Sequence, residues 1–330
     1  MESRILVTGG AGYIGSVVAD LLVRQGHRVT ILDNLTHGHA LAAPPGAELI
    51  GADLSHRASL EAVFARGQFD AVVHFAALIE AGESMRAPEL YFRNNTASTL
   101  TLFESMLAHN VKKFVFSSTA ALYGNPERTP IEEDAPLHPT NAYGESKLLV
   151  ERMLEWFHRI HNFRYASLRY FNVAGAWENH GEDHRPETHL IPNVLQVALG
   201  KKGSIAIFGD DYPTPDGTCI RDYIHIHDLA RAHLLALDAL DRRDHMIYNL
   251  GNGKGFSVRQ VIEAARRVTG HPIPAGMQPR RPGDPAVLVA SSEKIYRELN
   301  WSPEFATLDA IIASAWVWHK AHPEGYGERE

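Results

Sequence analysis

The chain has 330 residues, 45% of them hydrophobic, with a formal net charge of −7, enough apolar content for one large domain and a smaller one. No Lys/Arg block interrupts the acidic balance, which excludes the electrostatic footprint of a nucleic-acid binder. Cys219 is the one cysteine, so no intrachain disulfide forms; residues 1–20 lack the pattern of a secretory signal, no apolar run is long enough to span a bilayer, and a cytoplasmic location is expected.

Ile5, Leu6 and Val7 predict a strand that runs directly into Thr-Gly-Gly-Ala-Gly-Tyr-Ile-Gly (8–15). Gly9 or Gly10, Gly12 and Gly15 satisfy both common spacings of a dinucleotide loop. Glycine there permits a tight turn, close approach of backbone amides to a pyrophosphate, and close packing of the next helix. A helix over Val18–Arg24 and a strand over Val29–Leu32 follow, and this strand ends in Asp33, where a carboxylate can accept from an adenosine ribose. No Arg or Lys lies between Asp33 and His39 to receive a 2′-phosphate, which favours NAD over NADP.

The alternation continues through a strand at Glu48–Ile50, a helix at Leu60–Ala65, a strand at Ala71–Phe75, a helix at Ala97–Leu107, a strand at Lys113–Ser117, a helix at Ser146–Ile160 and a strand at Tyr165–Tyr170. This predicts an α/β fold in which residues 1–172 form a Rossmann-like, doubly wound parallel sheet that binds NAD. Gly9, Asp33, Asp53, Ala76, Thr119 and Asn172 each follow a strand, the placement expected of residues lining a ligand cleft. Asp53 also has a bland reading, as the cap of the next helix.

From residue 173 to 330 the alternation fades into a polar segment over Ala174–Thr188 and later Pro-rich stretches, predicting a smaller α/β substrate-binding lobe, with some late segments packing back on the first domain. Helices are expected at His227–Leu240, at Ser257–Val268 with Ser257 as N-cap, and at Thr307–His319 with Thr307 as N-cap. His225 and His227 would share a strand face, and Asp228 would cap or charge the following helix. His180, Asp183, His184 and His189 lack a recognisable zinc-ligand spacing, so no metal is expected. Trp156, Phe157, Trp316 and Trp318 read as packing residues.

Tyr143 and Lys147, four apart near the start of a helix that begins near Asn141, share one helical face. With eleven tyrosines that spacing carries little weight alone. Beside a dinucleotide loop it gains meaning, because removing hydride from a secondary alcohol requires a base for the hydroxyl proton. A fixed ammonium about 4 Å away, at an effective dielectric near 20, favours a phenolate by roughly 4 kcal/mol, sufficient to bring a phenol near neutrality. Thr119, at the end of a strand, can hydrogen-bond the reacting oxygen or relay its proton.

Gly-Gly-Ala-Gly-Tyr-Ile-Gly-Ser (9–16), Leu-Asp-Asn-Leu (32–35), His-Phe-Ala-Ala (74–77), Asn-Asn (94–95), Ser-Ser-Thr-Ala (117–120), Tyr143-x-x-x-Lys147 and Arg-Tyr-Phe-Asn (169–172) resemble an extended short-chain dehydrogenase/reductase. The run from Ile207 to His225, with Arg-Arg-Pro-Gly-Asp (280–284), is similar to the UDP-glucose 4-epimerase family in particular, and the likeness covers almost the whole chain.

The resemblance implies interconversion of UDP-galactose and UDP-glucose by transient oxidation at C4, with Tyr143 as base, bound NAD, and a homodimer. It assigns Tyr13 and Ile14 to the pyrophosphate loop, Asp33 and Asn34 to the ribose, Asp53 and Leu54 to the adenine region, and Phe75, Ala76, Ala77 and Asn94 to the middle of the cofactor. Ser117, Tyr143, Lys147 and Tyr170 fall at the nicotinamide end. For the UDP-sugar it implies Arg221 and Arg281 on the diphosphate, completed by Asn172, Leu190, Phe208 and Asp284, with Thr119 and Tyr143 at the sugar. Guanidinium groups suit phosphate oxygens because they bind them in a bidentate way.

Some positions depart from the better-known branch: Ile79 replaces a lysine, Thr119 a serine and His189 an asparagine, and Leu288 stands where side-chain size is linked to admission of N-acetylated sugars. The alternatives are a UDP-N-acetylglucosamine or UDP-pentose 4-epimerase of the same mechanism, or a catalytically silent NAD-binding relative. A sugar dehydratase is disfavoured because Ala120 and Ala121, rather than carboxylates, follow Thr119.

Overall fold

The computed structural model describes residues 2–281 and 284–327, so Pro282 and Gly283 of the Arg-Arg-Pro-Gly-Asp motif lie outside the described residues. Packing divides the chain into two units. The first holds the residues up to Asn125, Pro136–Arg169 and Ala230–Tyr248, and the second holds Pro126–Ala135, Tyr170–Leu229 and the residues from Asn249 onward.

The strands are β1 (Arg4–Thr8), β2 (Arg28–Asp33), β3 (Glu48–Gly51), β4 (Ala71–His74), β5 (Lys113–Thr119), β6 (Arg164–Tyr170), β7 (Asn172–Ala174), β8 (Ile205–Phe208), β9 (Ile220–His225), β10 (His245–Leu250), β11 (Gly255–Ser257), β12 (Ala275–Gln278) and β13 (Val287–Leu288). A seven-stranded sheet runs β10-β6-β5-β4-β1-β2-β3. The pairs β1–β2, β1–β4, β2–β3 and β4–β5 are parallel, with Ile5 opposite Val29 and Ala71. Strand order reverses at β1, which makes this a doubly wound, Rossmann-like sheet, and ligands of such sheets bind beyond the strand ends at that reversal. Continuous apolar strands such as Ile5–Val7 and Val72–Val73 are buried because helices cover both faces.

On one face Leu6, Leu32, Phe64, Leu102, Phe103, Phe114, Leu154 and Phe163 form a single apolar cluster. The helix Ala142–His161 contributes to it and starts where Asn141 Oδ1 accepts from the Gly144 amide at 2.8 Å. Its last turn carries His158, Arg159 and His161, which suit the negative end of the helix dipole, and it stops at Asn162 in the left-handed region. The helix expected from Ala97 is preceded by a π-helical segment, Phe92–Ala97, which carries Asn94 and Asn95. The extra residue in such a turn breaks the 3.6-residue periodicity that would have revealed it.

In the second unit β9 pairs with β7, β11 and β13, and β8 pairs with β12. The helices Leu190–Ala198, Val258–Thr269 and Leu308–Ala321 share an apolar cluster that includes Leu195, Ile262, Ile312 and Trp316. Ser257 forms a full capping box with Gln260, and Thr307 caps the last of these helices.

Two expectations, for His225 with His227 and for Trp156, are corrected, and one, for Asp228, is extended. β9 ends at His225 and a helix begins at Ile226, so strand alternation does not relate His225 to His227; each ring stacks separately, on Phe305 and on Trp177. The Asp228 carboxylate accepts from the Glu304 and Phe305 amides at 2.8 and 2.9 Å, so it anchors a loop as well as charging the first helical turn. Trp156 is 60% exposed and is not a packing residue, because it lies on the outer face of a helix whose inner face is taken by Val150, Leu154 and Phe157.

Candidate active site

In the first unit, Gly9 has φ +71° and donates to Leu32 O at 2.8 Å, closing the turn after β1. A Cβ at Gly9 would stand 2.4 Å from the Ala76 amide nitrogen, and one at Gly15 would stand 2.2 Å from Gly9 O. These two positions therefore have room for glycine only, and Gly9 is held against the segment that follows β4. Gly12 is the N-cap of the helix Tyr13–Arg24, whose first turn has no acidic residue. Tyr13 and Ile14 thus occupy a helix start at which amides and the helix dipole favour an anion.

Asp33 ends β2 and spans the loop: Oδ2 accepts from Ala11 N at 3.0 Å and Oδ1 from Leu35 N at 2.9 Å. Burial raises its pKa, while these two amides act in the opposite direction. Asn34 Nδ2 donates to Asp53 Oδ2 at 2.7 Å, and Asp53 Oδ1 accepts from the Ser55 amide at 2.8 Å and its hydroxyl at 2.6 Å. The helix Arg57–Gly67 has His56 at its N-cap and no side-chain cap, so the capping role is not the one Asp53 performs. Leu54 is buried in the apolar cluster. The Phe75 and Ala76 amides both donate to Thr8 O, at 2.8 and 3.1 Å, and Ala77 is half-buried beyond them. Ile79 is 39% exposed.

Asn94 Nδ2 donates to Asn95 Oδ1 at 2.9 Å. The buried Asn95 side chain also accepts from Leu78 N and donates to Leu78 O and Ser146 Oγ, at 2.8, 3.0 and 3.0 Å. It fastens the loop after β4 to the helix bearing Tyr143 and Lys147.

Thr119 closes β5, its Oγ1 accepts from Ala121 N at 3.1 Å, and its hydroxyl hydrogen-bonds that of Tyr143. Lys147, 2% exposed, donates from Nζ to Ser117 O at 2.9 Å and stands 5.0 Å over the Phe116 ring. Burial brings this ammonium down to about 7. Burial also raises the Tyr143 hydroxyl; the Thr119 hydrogen bond opposes that rise and the Glu80 carboxylate adds to it. Lys147 Nζ is fixed at the Ser117 carbonyl, on the strand that Thr119 closes.

A buried network extends from this point. Ser118 Oγ donates to Glu151 Oε1 at 2.6 Å, Arg169 donates to both Glu151 oxygens at 3.0 and 2.6 Å, and Arg169 Nη1 donates to Tyr123 Oη at 2.9 Å. Sequence reading overlooked Asn95, Glu151 and Arg169 as parts of this machinery. A signal existed for Glu151, which lies one turn beyond Lys147 on the same face.

The second unit holds the remaining candidates. Tyr170 is buried at the end of β6, and Asn172 begins β7 opposite Tyr223 of β9. Arg221 lies on β9 opposite Leu288; its Nη2 donates to Asp284 Oδ1 at 2.9 Å and its Nη1 to the Ile220 and Pro285 carbonyls at 2.8 and 2.9 Å. The Arg281 guanidinium lies 4.1 Å over the Phe208 ring. Leu190 opens its helix with His189 at the N-cap. Beside Arg221, the buried Asp222 carboxylate accepts from the Asn252, Gly253 and Ala290 amides, which ties β9 to β13's continuation. Burial pushes that carboxyl up to about 6 even against these three donors.

The model of the NAD dependent epimerase/dehydratase family matches residues 5–251. The chain belongs to this family. Among family members, the UDP-glucose 4-epimerase of Halalkalibacterium halodurans is 54% identical over 326 residues, covering 98% of this chain and 97% of the relative. A crystal structure of a UDP-glucose 4-epimerase superposes with a TM-score of 0.96 at 52% identity, covering 98% and 99% of the two chains. The Brucella ovis UDP-glucose 4-epimerase, solved in complex with NAD, superposes with a TM-score of 0.93 at 41% identity over 96% and 98%. A dinucleotide is consistent with the residues present here: a tight turn in which Gly9 and Gly15 admit no Cβ, a helix start free of acid, and a carboxylate at the end of β2.

Proposed function

We propose that this chain interconverts UDP-galactose and UDP-glucose, with NAD as resident cofactor. The observation that carries the reading is the meeting of Thr119, Tyr143 and Lys147 at the end of β5 in a chain 54% identical along its length to a UDP-glucose 4-epimerase. When bound, NAD accepts the C4 hydride of the sugar and later returns it to the opposite face, and its oxidised ring carries positive charge.

Tyr143 takes the proton of the C4 hydroxyl and gives it back at the end of the cycle. Thr119, already hydrogen-bonded to Tyr143, orients that proton and the oxygen that bears it. The Lys147 ammonium, on the same helix and fastened to the Ser117 carbonyl of β5, favours the phenolate electrostatically. The roles of Gly9, Gly12, Gly15, Tyr13 and Ile14 are to receive a diphosphate, that of Asp33 with Asn34 a ribose, and those of Asp53, Leu54, Phe75, Ala76, Ala77, Asn94, Ser117 and Tyr170 to enclose the rest of the cofactor.

Arg221 and Arg281 take the UDP diphosphate, with Asn172, Leu190, Phe208 and Asp284 around the nucleotide; the support is that Arg221 joins Asp284 and Arg281 joins Phe208. A homodimer is part of the reading, supported by apolar side chains left exposed on two helices of the first unit: Leu100 at 39%, Trp156 at 60% and Ile160 at 64%. A cytoplasmic location is supported by the single buried Cys219, which leaves no intrachain disulfide to form.

The test is to incubate purified protein, without added cofactor, separately with UDP-galactose, UDP-N-acetylgalactosamine and UDP-arabinose, and to follow the products by NMR. UDP-glucose formed from the first is the expected result. Conversion of the N-acetylated sugar or the pentose alone would replace the proposed substrate, and no conversion even with NAD supplied would remove the proposed activity.

A further inference from the structure

Apart from the residues assigned above, the second unit gathers four side chains with metal-ligating atoms in the irregular segment before the helix Leu190–Ala198. Glu182, His184, Glu187 and His189 each present one ligand atom, and all four atoms lie within 4.8 Å of one another. His184 Nδ1 stands 3.2 Å from Glu182 Oε1 and 3.9 Å from Glu187 Oε2. His189 Nδ1 stands 2.8 Å from Glu182 Oε1 and 3.0 Å from Glu187 Oε1. Two imidazoles thus aim the same ring nitrogen at the same two carboxylates, with ring centroids 5.2 Å apart.

We propose that Glu182, His184, Glu187 and His189 bind one divalent transition-metal ion of the zinc class. Zinc bonds of about 2.0–2.2 Å to nitrogen and oxygen place the corners of a tetrahedron roughly 3.2–3.6 Å apart. The four distances above bracket that value. Both carboxylate side chains are nearly enclosed, at 5% and 6% exposure, as expected of ligands in a closed structural site. A set of two imidazole nitrogens and two carboxylate oxygens suits zinc and its neighbours; calcium and magnesium take oxygen ligands throughout.

The surroundings leave this set of four distinct. The intervening Asp183 turns away, accepting from the Tyr326 amide at 3.0 Å and lying 3.4 Å from Arg185 Nε. The His189 amide donates to Glu187 Oε1 at 2.7 Å, which aligns that carboxylate. Among the described residues, His319 on the helix Leu308–Ala321 also feels these carboxylates; burial lowers its pKa, against the pull of Glu182, Glu187 and Asp183. A bound ion would fix the backbone through His189, the N-cap of the helix that Leu190 opens. The pattern Glu-x-His-x-x-Glu-x-His is not a familiar zinc spacing, so the metal is not announced by spacing alone.

The experiment uses the full chain made without a polyhistidine tag, stripped with EDTA, desalted and exposed to zinc chloride. The expected result is about one zinc per chain retained after a second desalting, measured by mass spectrometry, with a rise in Tm that magnesium or calcium chloride does not reproduce. The His184→Ala/His189→Ala double variant should retain no zinc and show no rise. Zinc absent from the wild type, or retained equally by the double variant, overturns the proposal, as does a rise produced by calcium or magnesium alone. Should the double variant fail to fold, cobalt chloride added to the stripped wild type decides the matter: intense visible bands of tetrahedral cobalt support the site, and the weak spectrum of the hydrated ion removes it. None of these readouts depends on epimerase activity.

Discussion

Lys147 Nζ donates to the Ser117 carbonyl at 2.9 Å, which fastens a buried ammonium to the strand whose last residue, Thr119, hydrogen-bonds Tyr143. Strand end and helix start are thereby one structural unit. Because burial raises the Tyr143 hydroxyl, its ionisation depends on positive charge supplied at the site. Under the proposed reading that charge comes from Lys147 and the oxidised nicotinamide ring.

Tyr143→Phe removes the proton acceptor but leaves the ring and its 6.5 Å edge-on packing against Tyr91. Turnover should fall by about 10²–10⁴, the usual contribution of a positioned acid or base. NAD content, read from absorbance of the denatured protein's supernatant, should stay at the wild-type level. Unchanged turnover would remove Tyr143 from the chemistry.

His74 ends β4 fully buried, its ring nitrogens 2.6 Å from Thr8 Oγ1 and 3.0 Å from Thr99 Oγ1. Burial, aided by the nearby Lys147, lowers its pKa to about 3. An unfolded histidine titrates near 6.5, so between about 3 and 6.5 the unfolded chain binds more protons, and the stability present above pH 6.5 is lost as pH falls. From pH 6.5 to 4.5 this one residue should remove about 2–3 kcal/mol. Urea unfolding of His74→Asn over that range should show a shallower loss than the wild type; parallel pH profiles would contradict the assignment.

Arg169 and Glu151 have side chains 3% and 7% exposed and are joined by two hydrogen bonds. Removing one partner of such a pair leaves a buried charge and costs about 3–5 kcal/mol. Arg169→Met should therefore destabilise strongly, and adding Glu151→Met should restore part of the loss. The network also reaches Ser118, so the single variant should lower turnover beyond what its unfolded fraction explains. A double variant less stable than Arg169→Met would show that the pair is not the source of the effect.

Gly9→Ala places a Cβ 2.4 Å from the Ala76 amide in a residue with φ +71°. Overpacking and the left-handed backbone together cost about 2–4 kcal/mol. A fall in Tm with loss of retained NAD is expected, because Gly9 and Ala76 cannot both keep their places. A variant with full NAD content and wild-type Tm would show that the loop relaxes easily.

The doubly wound sheet was legible because its strands are largely apolar and alternate with helices; the glycine loop and Asp33 could be located from spacing, and Tyr143 and Lys147 from their spacing in the company of that loop. What spacing does not carry is the direction of a side chain. Lys147 reads as a partner of Tyr143 by spacing, but the bond from its Nζ to the Ser117 carbonyl is visible only in the structure. The π-helical turn at Phe92–Ala97 hides the buried Asn95 because it interrupts helical periodicity. Glu151 and Arg169 are far apart in sequence and meet only once the helix docks on β6. The His225–His227 reading failed because a strand gives way to a helix between them, without the proline or glycine that would mark the change.

Arg221 is held in a fixed orientation before any ligand is considered: Nη1 donates to two carbonyls and Nη2 to Asp284. Its guanidinium plane is thereby set by the protein, and a planar fork of this kind discriminates arginine from lysine. Under the proposed function Arg221→Lys keeps the charge and loses the fork. Charged hydrogen bonds contribute about 1.5–3 kcal/mol each, so the Kd for UDP should rise about 10–100-fold. NAD content should be unaffected, since the residues assigned to NAD, apart from Tyr170, lie in the first unit and Arg221 in the second. Titration of UDP into both proteins by calorimetry reads the difference directly; equal affinities would mean that the diphosphate is held elsewhere, while loss of NAD in the variant would mean that the substitution disturbs the fold rather than the nucleotide site.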